Sequence, residues 1–249
     1  ETIIIIAKKE TANDSNIEIF MNQEKTLIYS HTNSQKTYLN NKNFEFNIFS
    51  DDSSIKILDK IKNNTQILDN LTTIKAGLKA YESGKGEPKQ TPQDVKNRPY
   101  DFTFKNHENT YKYLEGKDVG RYCINWSGSY LKYGKHLAAP RTFDIFSKPK
   151  LIVREITGKF PKCIVSTFES EIYLFNMSNI AILERKDAQV PLKYILAVLN
   201  STLISYYFIK NTAKSVRKIF PKIIIEDLRM FPIKFSSKQQ EQKITSLVD

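Results

Sequence analysis

Two short segments of the sequence have the spacing of the Glu-x-Lys end of a metal-dependent nuclease site, Glu87–Lys89 and Glu184–Lys186. In such a site the carboxylate holds a metal ion, and a second acidic residue upstream shares that metal. The segment at Glu184 has no Asp close before it, and the segment at Glu87 lies among proline and glycine residues. We therefore interpret both segments as solvated charges.

Other residue types that bind metals or act as nucleophiles are few and scattered. His31, His107 and His136 are far apart and match no metal-ligand spacing. Cys123 and Cys163 lie in apolar, strand-like contexts, which predicts buried free thiols and argues against a disulfide framework or a four-ligand zinc site. The sequence contains no nucleophile elbow, Walker loop or dinucleotide fingerprint. It therefore predicts no catalytic residue, metal or cofactor in this segment.

The tetrapeptide Asn97–Tyr100, with the sequence NRPY, is similar to the Asn/Asp-Pro-Pro-Tyr/Phe loop of enzymes that methylate the adenine amino group. In that loop an amide and a backbone carbonyl hold the amino group, and the aromatic ring stacks on a flipped base. Arg98 replaces the first proline, so the carbonyl would not be held in the same way. The tetrapeptide also follows a predicted helix and not a strand. We therefore assign it no catalytic role.

Basic clusters interleaved with aromatic residues and glycine are the main chemical signal that remains. Lysine binds phosphates, and arginine can also read guanine edges in the major groove. Any one of these cations could be a solvated surface charge, but as an ensemble they favour a nucleic-acid surface. Arg154 is the most suggestive, because it ends the apolar strand Leu151–Val153 and must face either a partner or Glu155. The predicted DNA-binding residues are Lys79, Lys85, Arg121, Lys135, Arg141, Arg154, Lys159, Lys214, Arg217 and Lys218.

The net charge of the 249 residues is +11, and the excess is unevenly distributed. Residues 1–75 contain 9 Lys and Arg against 10 Asp and Glu, whereas residues 76–249 contain 29 against 17. A charge of this size and asymmetry speeds encounter with a polyanion, and nucleic acid is the commonest such partner. A solubilising surface is the alternative explanation of the charge alone.

The periodicity of the sequence predicts an α+β fold. Short β-like runs are expected at 71–76, 120–126, 150–155, 162–167, 171–175 and 179–183. Helices are expected at 53–62 with Ser53 or Ser54 as N-cap, from Thr91 with a reciprocal cap from Asp94, at 191–209, and over 236–249. Strands mixed with a few helices, without strict alternation, are typical of α+β proteins.

The ends of the chain suggest a piece of a longer protein. Residues 1–20 predict two short strands, and a lone hairpin is marginal in water, so we expect it to complete the sheet of another domain. Residues 22–47 are polar and predict a linker or a long insertion. The apolar stretch Tyr194–Ile209 contains Asn200 and Ser201 and is too short and polar for a membrane span. These features predict a cytoplasmic protein without a membrane partner.

Seven sequence blocks, taken in order, resemble a known family. They are GLKAYESGKGEPKQT, NRPYDF, YLEGKDVGRY, YLKYGKHLAAPR, FSKPKLIVREITGK, YILAVLNSTLISYYF and FPKIIIEDLRMFPI. The chain from Leu71 to its end resembles the TaqI-like C-terminal specificity domain of adenine-N6 DNA methyltransferases and of fused, Eco57I-like type IIG restriction–modification enzymes. The NRPY tetrapeptide is one of these blocks, which explains it as an element of the recognition domain.

The resemblance implies a β-rich recognition domain with a few packed helices, which binds double-stranded DNA. This domain would direct adenine-N6 methylation by a catalytic domain elsewhere in the parent chain, and DNA cleavage as well if the parent is a fused restriction enzyme. S-adenosylmethionine would bind in that other domain. Residues 1–24 would end the methyltransferase domain, 25–70 would form a linker and a helix, and 71–249 would form the recognition domain. Arg154, Lys159, Arg121, Lys79 and Lys85 lie in the matching blocks.

Two other interpretations remain. A trans-acting specificity subunit, as in type I systems, would need a second recognition repeat and long spacer helices. Neither is visible in the sequence, although the predicted C-terminal helix could begin a spacer. An enzyme complete in this chain would need to bind S-adenosylmethionine itself, and we expect no such binding.

Overall fold

The computed structural model describes most of the chain and divides it into two compact units, residues 1–61 and 62–249. The described residues are 4–7, 15–23, 25–39, 46, 48–106, 108–211 and 221–248. Helices and strands are mixed along the chain, which confirms the α+β class. The expected division at residues 24 and 70 stays a prediction.

An antiparallel hairpin of β1 (Asn16–Gln23) and β2 (Thr26–Ser34) forms the centre of the first unit. Of the two strands expected within residues 1–20, the second corresponds to β1. The first does not form over residues 4–7, which have no regular secondary structure. The partner strand β2 lies in the segment that we interpreted as a linker. Most residues of β2 are exposed, so a polar composition is compatible with a strand there.

Two helices follow this hairpin in the chain, α1 (Gln35–Leu39) and α2 (Asp52–Lys62). The helix predicted over 53–62 is confirmed, but its cap is Asp51 and not Ser53 or Ser54. The Asp51 carboxylate Oδ1 accepts a hydrogen bond of 2.7 Å from the backbone N–H of Ser54. An aspartate placed before the first turn thus satisfies a backbone donor that the helix leaves unpaired.

The strands of the second unit belong to three sheets. In chain order they are β3 (Thr65–Ile67), β4 (Thr72–Ala76), β5 (Asp101–Phe102), β6 (Thr110–Leu114), β7 (Tyr130–Lys132), β8 (Lys150–Arg154), β9 (Ser166–Glu169), β10 (Leu174–Phe175), β11 (Asn179–Glu184) and β12 (Pro232–Lys234). The central sheet is antiparallel with the order β4-β11-β8-β9, a second sheet has the order β10-β6-β7-β5, and β12 pairs with β3. Strands β8 and β11 are buried over most of their length, which fits their continuous apolar runs.

The two larger sheets share one hydrophobic core. Leu114 and Leu131 from the second sheet are fully buried in the same cluster as Ile152 and Ala181 from the central sheet. Apolar side chains from both sheets are thereby removed from water, which is the main favourable contribution to folding. The loops at the ends of the strands are consequently attached to a packed scaffold.

Three of the predicted strands are confirmed with small shifts, and three are shortened or absent. The runs at 71–76, 150–155 and 179–183 correspond to β4, β8 and β11, and 171–175 contracts to β10. The run at 162–167 becomes a strand only at Ser166, because the backbone N–H of Cys163 is bonded to the Ser205 hydroxyl at 3.0 Å. The run at 120–126 forms no strand, because Tyr122 has a left-handed φ of 63°.

The helices of the second unit lie between and after these strands. They are α3 (Leu68–Leu71), α4 (Pro92–Asn97), α5 (Asp144–Ser147), α6 (Leu192–Leu199), α7 (Thr202–Asn211), α8 (Ile225–Arg229) and α9 (Lys238–Thr245). The predicted start of α4 is confirmed, including the reciprocal cap between Thr91 and Asp94. The predicted C-terminal helix corresponds to α9, which Ser237 caps.

The long helix predicted over 191–209 is in fact two helices, α6 and α7, with a bend of 62° between them. In an unbroken helix the Asn200 carbonyl would accept from the N–H of Ile204. Here that carbonyl accepts from the Arg121 guanidinium at 2.6 Å, and the Ile204 N–H donates to the Ser201 hydroxyl at 3.2 Å. Ser201 therefore starts a new helix as its N-cap.

Within the described part of the chain, no single helix is long and apolar enough to cross a membrane, although α6 and α7 together have the length and composition to do so as a bent pair. Of the two thiols expected to be buried, Cys163 is buried and Cys123 is exposed. The exposure of Cys123 follows from the missing strand, because its backbone belongs to a turn between Val119 and Ile124 and not to a sheet.

Candidate nucleic-acid interface

The register of the central sheet brings several of the predicted residues to one end. Arg154 at the end of β8 pairs with Asn179 at the start of β11, and Ile180 pairs with Ala76 at the end of β4. Strand β9 starts at the same end, because Val153 pairs with Ser166. We call this end of the sheet, with the loops 77–90, 133–141 and 155–165, the basic end.

The loop after β4 carries Lys79 and Lys85, and a buried glutamine holds it. The Gln90 side chain accepts from the Glu82 N–H at 2.9 Å and donates to the carbonyls of Ala80 and His136, each at 2.8 Å. The three glycines of this segment, Gly77, Gly84 and Gly86, suggest a flexible backbone. Three side-chain hydrogen bonds from a residue that is only 3% exposed instead fix its path, so Lys85 stands on an ordered backbone.

The loop 133–141 packs against the loop 77–90, so that Lys135 and Arg141 join Lys79 and Lys85. The Lys135 carbonyl accepts from the N–H of Glu87 at 2.9 Å, and Lys79 and Ala139 exchange two backbone hydrogen bonds of 2.9 and 2.8 Å. The close approach requires a glycine, because a Cβ on Gly86 would lie 2.4 Å from the His136 carbonyl oxygen, and its φ is +86°.

Among these four cations, Lys85 and Lys135 form no ion pair to any residue that the structure describes, whereas Lys79 pairs with Glu82 at 2.9 Å. Both partners of that pair are exposed, so water screens their attraction and Lys79 stays available to a stronger anion. The hydrogen bond from Lys79 lowers the pKa of the Glu82 carboxyl. The Arg141 guanidinium donates through Nε to the Gly77 carbonyl at 3.2 Å.

Arg154 does not face Glu155, which was one of the two expected alternatives. Glu155 instead pairs with Lys222 at 3.2 Å. The Nε of Arg154 donates to the Ile156 carbonyl at 2.7 Å, and within the described ranges no carboxylate pairs with its guanidinium. The side chain is therefore held at one nitrogen, while the two terminal nitrogens remain for a partner.

Lys159 lies in the loop 155–165 and is exposed. Arg121, in contrast, is half-buried and directed into the fold, where it donates to Asn200 between α6 and α7. Its other terminal nitrogen, Nη1, is buried and has no hydrogen-bond partner among the described residues. Lys214, Arg217 and Lys218 lie outside the described residues.

The NRPY tetrapeptide forms part of the scaffold next to the basic end. Arg98 ends α4 in a left-handed conformation with φ of 50°, pairs with Asp101 at 2.6 Å and lies over the Tyr81 ring at 4.9 Å. The Tyr81 hydroxyl donates to Asp101 at 2.9 Å and accepts from the Tyr100 N–H at 2.8 Å. Burial, with the negative charge of Asp101, raises the pKa of Tyr81 well above its usual value.

A pocket of about 250 Å³ opens beside this scaffold, and no pattern in the sequence indicated it. Its polar lining includes Lys79, Tyr81, Arg98, Glu115 and Ser178. Arg98 and Lys79 provide hydrogen-bond donors to this pocket, and Glu115 provides an acceptor.

The opposite end of the central sheet differs in its chemistry. Lys150 is fully buried and donates to the carbonyls of Lys148 and Glu171 at 3.2 and 2.7 Å. Burial lowers the pKa of the Lys150 amine to about 8. The Glu-x-Lys segment begins at this end with Glu184, the last residue of β11. No group of three or more His, Cys, Asp or Glu side chains in the described ranges could hold a metal ion.

Comparison with known families gives a match that covers part of the basic end. Residues 111–233 match the family model described as the TaqI-like C-terminal specificity domain. The matched residues include Lys135, Arg141, Arg154 and Lys159, whereas Lys79 and Lys85 precede them.

A curated protein of Methanocaldococcus jannaschii, named as a type II restriction enzyme and methyltransferase, is 27% identical over 190 residues. The match covers 71% of this chain but only 14% of that protein, so the chain spans a small part of the relative's length.

A search of solved structures matches the HsdS subunit from Thermoanaerobacter tengcongensis, with 11% identity, 80% coverage of this chain, 42% of that chain and a TM-score of 0.42. The S subunit of a type I restriction–modification system from M. genitalium has 16% identity, 74% and 38% coverage, and a TM-score of 0.39.

Proposed function

Because residues 111–233 form a TaqI-like C-terminal specificity domain, we propose that this chain is the target-recognition part of a type II restriction–modification DNA methyltransferase and binds double-stranded DNA at its basic end. The single observation that carries this proposal is the convergence of Lys85, Lys135, Arg154 and Lys159 at one end of one sheet. These cations form no ion pair to a described carboxylate.

Cations that are ordered and unpaired are complementary to a phosphate backbone. Each lysine that neutralises a phosphate releases condensed counterions, which favours binding and makes it salt-dependent. Arg154 adds the possibility of base reading, since its two terminal nitrogens form a fork that matches the O6 and N7 acceptors of guanine. Because Gln90 already fixes the loop, the backbone that carries Lys85 does not have to be ordered on binding.

We propose further that the chemistry lies in another part of the parent protein. In this view S-adenosylmethionine binds in a separate catalytic domain, which methylates adenine at N6, and the present chain directs that domain to its site. The named activity of the M. jannaschii relative supports a methyltransferase of this kind. The protein would then act in the cytoplasm, where the DNA of its host lies.

A selection from a pool of randomised duplexes tests the proposal. We expect the protein to enrich one short sequence, with binding that weakens as salt increases and a slope of about −0.9 per phosphate contact on logarithmic axes. The absence of any enriched sequence, or binding that does not respond to salt, would refute a recognition role. Arg154→Ala should reduce the preference at one base position, and the opposite-end variant Lys186→Ala should not.

A further inference from the structure

The loop that joins β8 to β9 ends in a tight turn with an exposed aromatic side chain at its tip. The N–H of Lys162 donates to the Lys159 carbonyl at 2.8 Å, and the N–H of Gly158 donates to the Cys163 carbonyl at 2.8 Å. A Cβ on Gly158 would lie 2.4 Å from the Lys162 carbonyl oxygen, so the turn closes only over a glycine. Phe160 lies at the tip and is 53% exposed.

Both sides of this turn are fixed to the body of the second unit. On one side the N–H and hydroxyl of Thr157 donate to the Pro221 carbonyl at 3.0 and 3.1 Å. On the other side the N–H of Cys163 donates to the hydroxyl of Ser205, which is fully buried. An exposed phenyl ring on an ordered backbone loses little conformational freedom when a partner covers it.

The charges around Phe160 indicate the kind of partner. Lys159 and Lys162 are exposed on either side of it, and neither pairs with a carboxylate in the parts of the chain that the structure describes. Arg154 precedes the same loop and donates to Ile156 within it. An apolar ring between free cations is complementary to a molecule that presents aromatic faces between anionic groups, and stacked bases between phosphates have this arrangement.

We propose that Phe160 is an apolar wedge that inserts at a base step of bound duplex DNA, while Lys159 and Lys162 contact the flanking phosphates. The proposal rests on the proposed DNA-binding function and adds a deformation of the DNA to it. Inserting a ring between two base pairs unstacks them and kinks the duplex, and sequences with flexible steps are deformed at the lowest cost. Phe160 would thus contribute to specificity without a hydrogen bond to any base.

The test uses duplexes of the selected sequence in which 2-aminopurine, whose fluorescence rises when it is unstacked, replaces the base at one position after another. We expect saturating protein to raise the signal at one step. Phe160→Ala should abolish that rise and weaken binding about 10-fold. Phe160→Trp should retain the rise. Lys159→Ala with Lys162→Ala should weaken binding and lower the salt slope by about 2, but keep the rise at saturation.

Ile172→Ala is the matched control, because Ile172 is also exposed but lies beside Glu171 at the opposite end of the central sheet. It should leave affinity and fluorescence unchanged. A fluorescence rise that persists in duplexes saturated with Phe160→Ala would overturn the wedge. A second contradicting result is that duplexes give no rise with the wild type, while vesicles of phosphatidylserine bind the wild type and lose that binding in Phe160→Ala. Failure of the wild type to bind any duplex would instead contradict the proposed function itself.

Discussion

The Arg121 guanidinium donates to the Asn200 carbonyl at 2.6 Å, across 79 residues of sequence, and this contact lies at the break between α6 and α7. Asn200 is itself buried, and its side chain accepts from the N–H and hydroxyl of Ser166 at 3.1 and 2.9 Å and donates to the Ser166 carbonyl at 2.9 Å. The bend of the helices, the start of β9 and Arg121 therefore form one polar network inside the fold.

Arg121→Ala should consequently reduce stability more than DNA binding. Removing the guanidinium leaves the Asn200 carbonyl without its partner, and we expect the free energy of unfolding to fall by about 2 kcal/mol. The salt slope of duplex binding should not change, since this side chain points into the fold. Urea unfolding and binding titrations check the two parts. A lower salt slope with unchanged stability would show that Arg121 contacts phosphates.

Arg154→Ala is the matched arginine variant and should behave in the opposite way. Among the described residues its guanidinium donates only to the Ile156 carbonyl, and this contact is exposed, so water can replace it and the unfolding free energy should change by less than about 1 kcal/mol. Its loss should lower affinity for the selected duplex about 10-fold, because an arginine fork on guanine contributes of the order of 1–3 kcal/mol. Equal affinity of the variant and the wild type would exclude Arg154 from base recognition.

The contrast between these two arginines shows what the sequence could predict. It identified β4, β8 and β11 from apolar runs, and the cap of α4 from Thr91 and Asp94, because those signals are local. It did not predict the break at Asn200, because the apolar stripe continues across it and the cause is a contact with Arg121. The Asn200-Ser201 pair, two residues that favour caps, was the local signal that could have indicated the break.

The sequence predicted which cations belong to the basic end, but it did not predict that they lie close together in the fold. Lys79 and Arg154 lie far apart in the sequence, and only the pairing of β11 with both β4 and β8 brings the loops that follow these two strands together. The ordered path of the loop 77–90 was likewise missed, because its glycines suggest flexibility and the buried anchor, Gln90, is an ordinary polar residue in the sequence.

Gln90→Ala should loosen the loop that carries Lys85. The substitution removes three hydrogen bonds from a buried position, so we expect a loss of about 3 kcal/mol in unfolding free energy. Hydrogen exchange should become faster over residues 82–90. Duplex affinity should fall, because the loop must then be ordered on binding. Unchanged exchange in this loop would mean that contacts other than Gln90 hold it.

Lys150 should make stability depend on pH. Its folded-state pKa of about 8 lies below the ordinary value of 10.5, so between these values the unfolded state binds more protons. Stability should therefore rise as the pH increases from about 8 to about 10.5, and the penalty for the buried charge should be fully present below 8. The unfolding free energy of Lys150→Met minus that of the wild type should therefore fall by up to about 3 kcal/mol as the pH rises across this window.

Urea unfolding at both ends of that pH window, with Lys148→Met as the exposed control, measures the effect of Lys150. Groups that titrate in both proteins cancel in the difference between variant and wild type. A difference that stays constant with pH would contradict a lowered pKa for Lys150.

The central claim, that one end of the central sheet binds the duplex, is tested most directly by two double variants of equal charge. Lys85→Ala with Arg154→Ala removes two cations from the basic end, and Lys148→Ala with Lys186→Ala removes two from the opposite end. Duplex affinity is measured against salt concentration for both variants and for the wild type. We expect a slope lower by about 2 for the first variant and an unchanged slope for the second. Equal slopes for the two variants would contradict the claim.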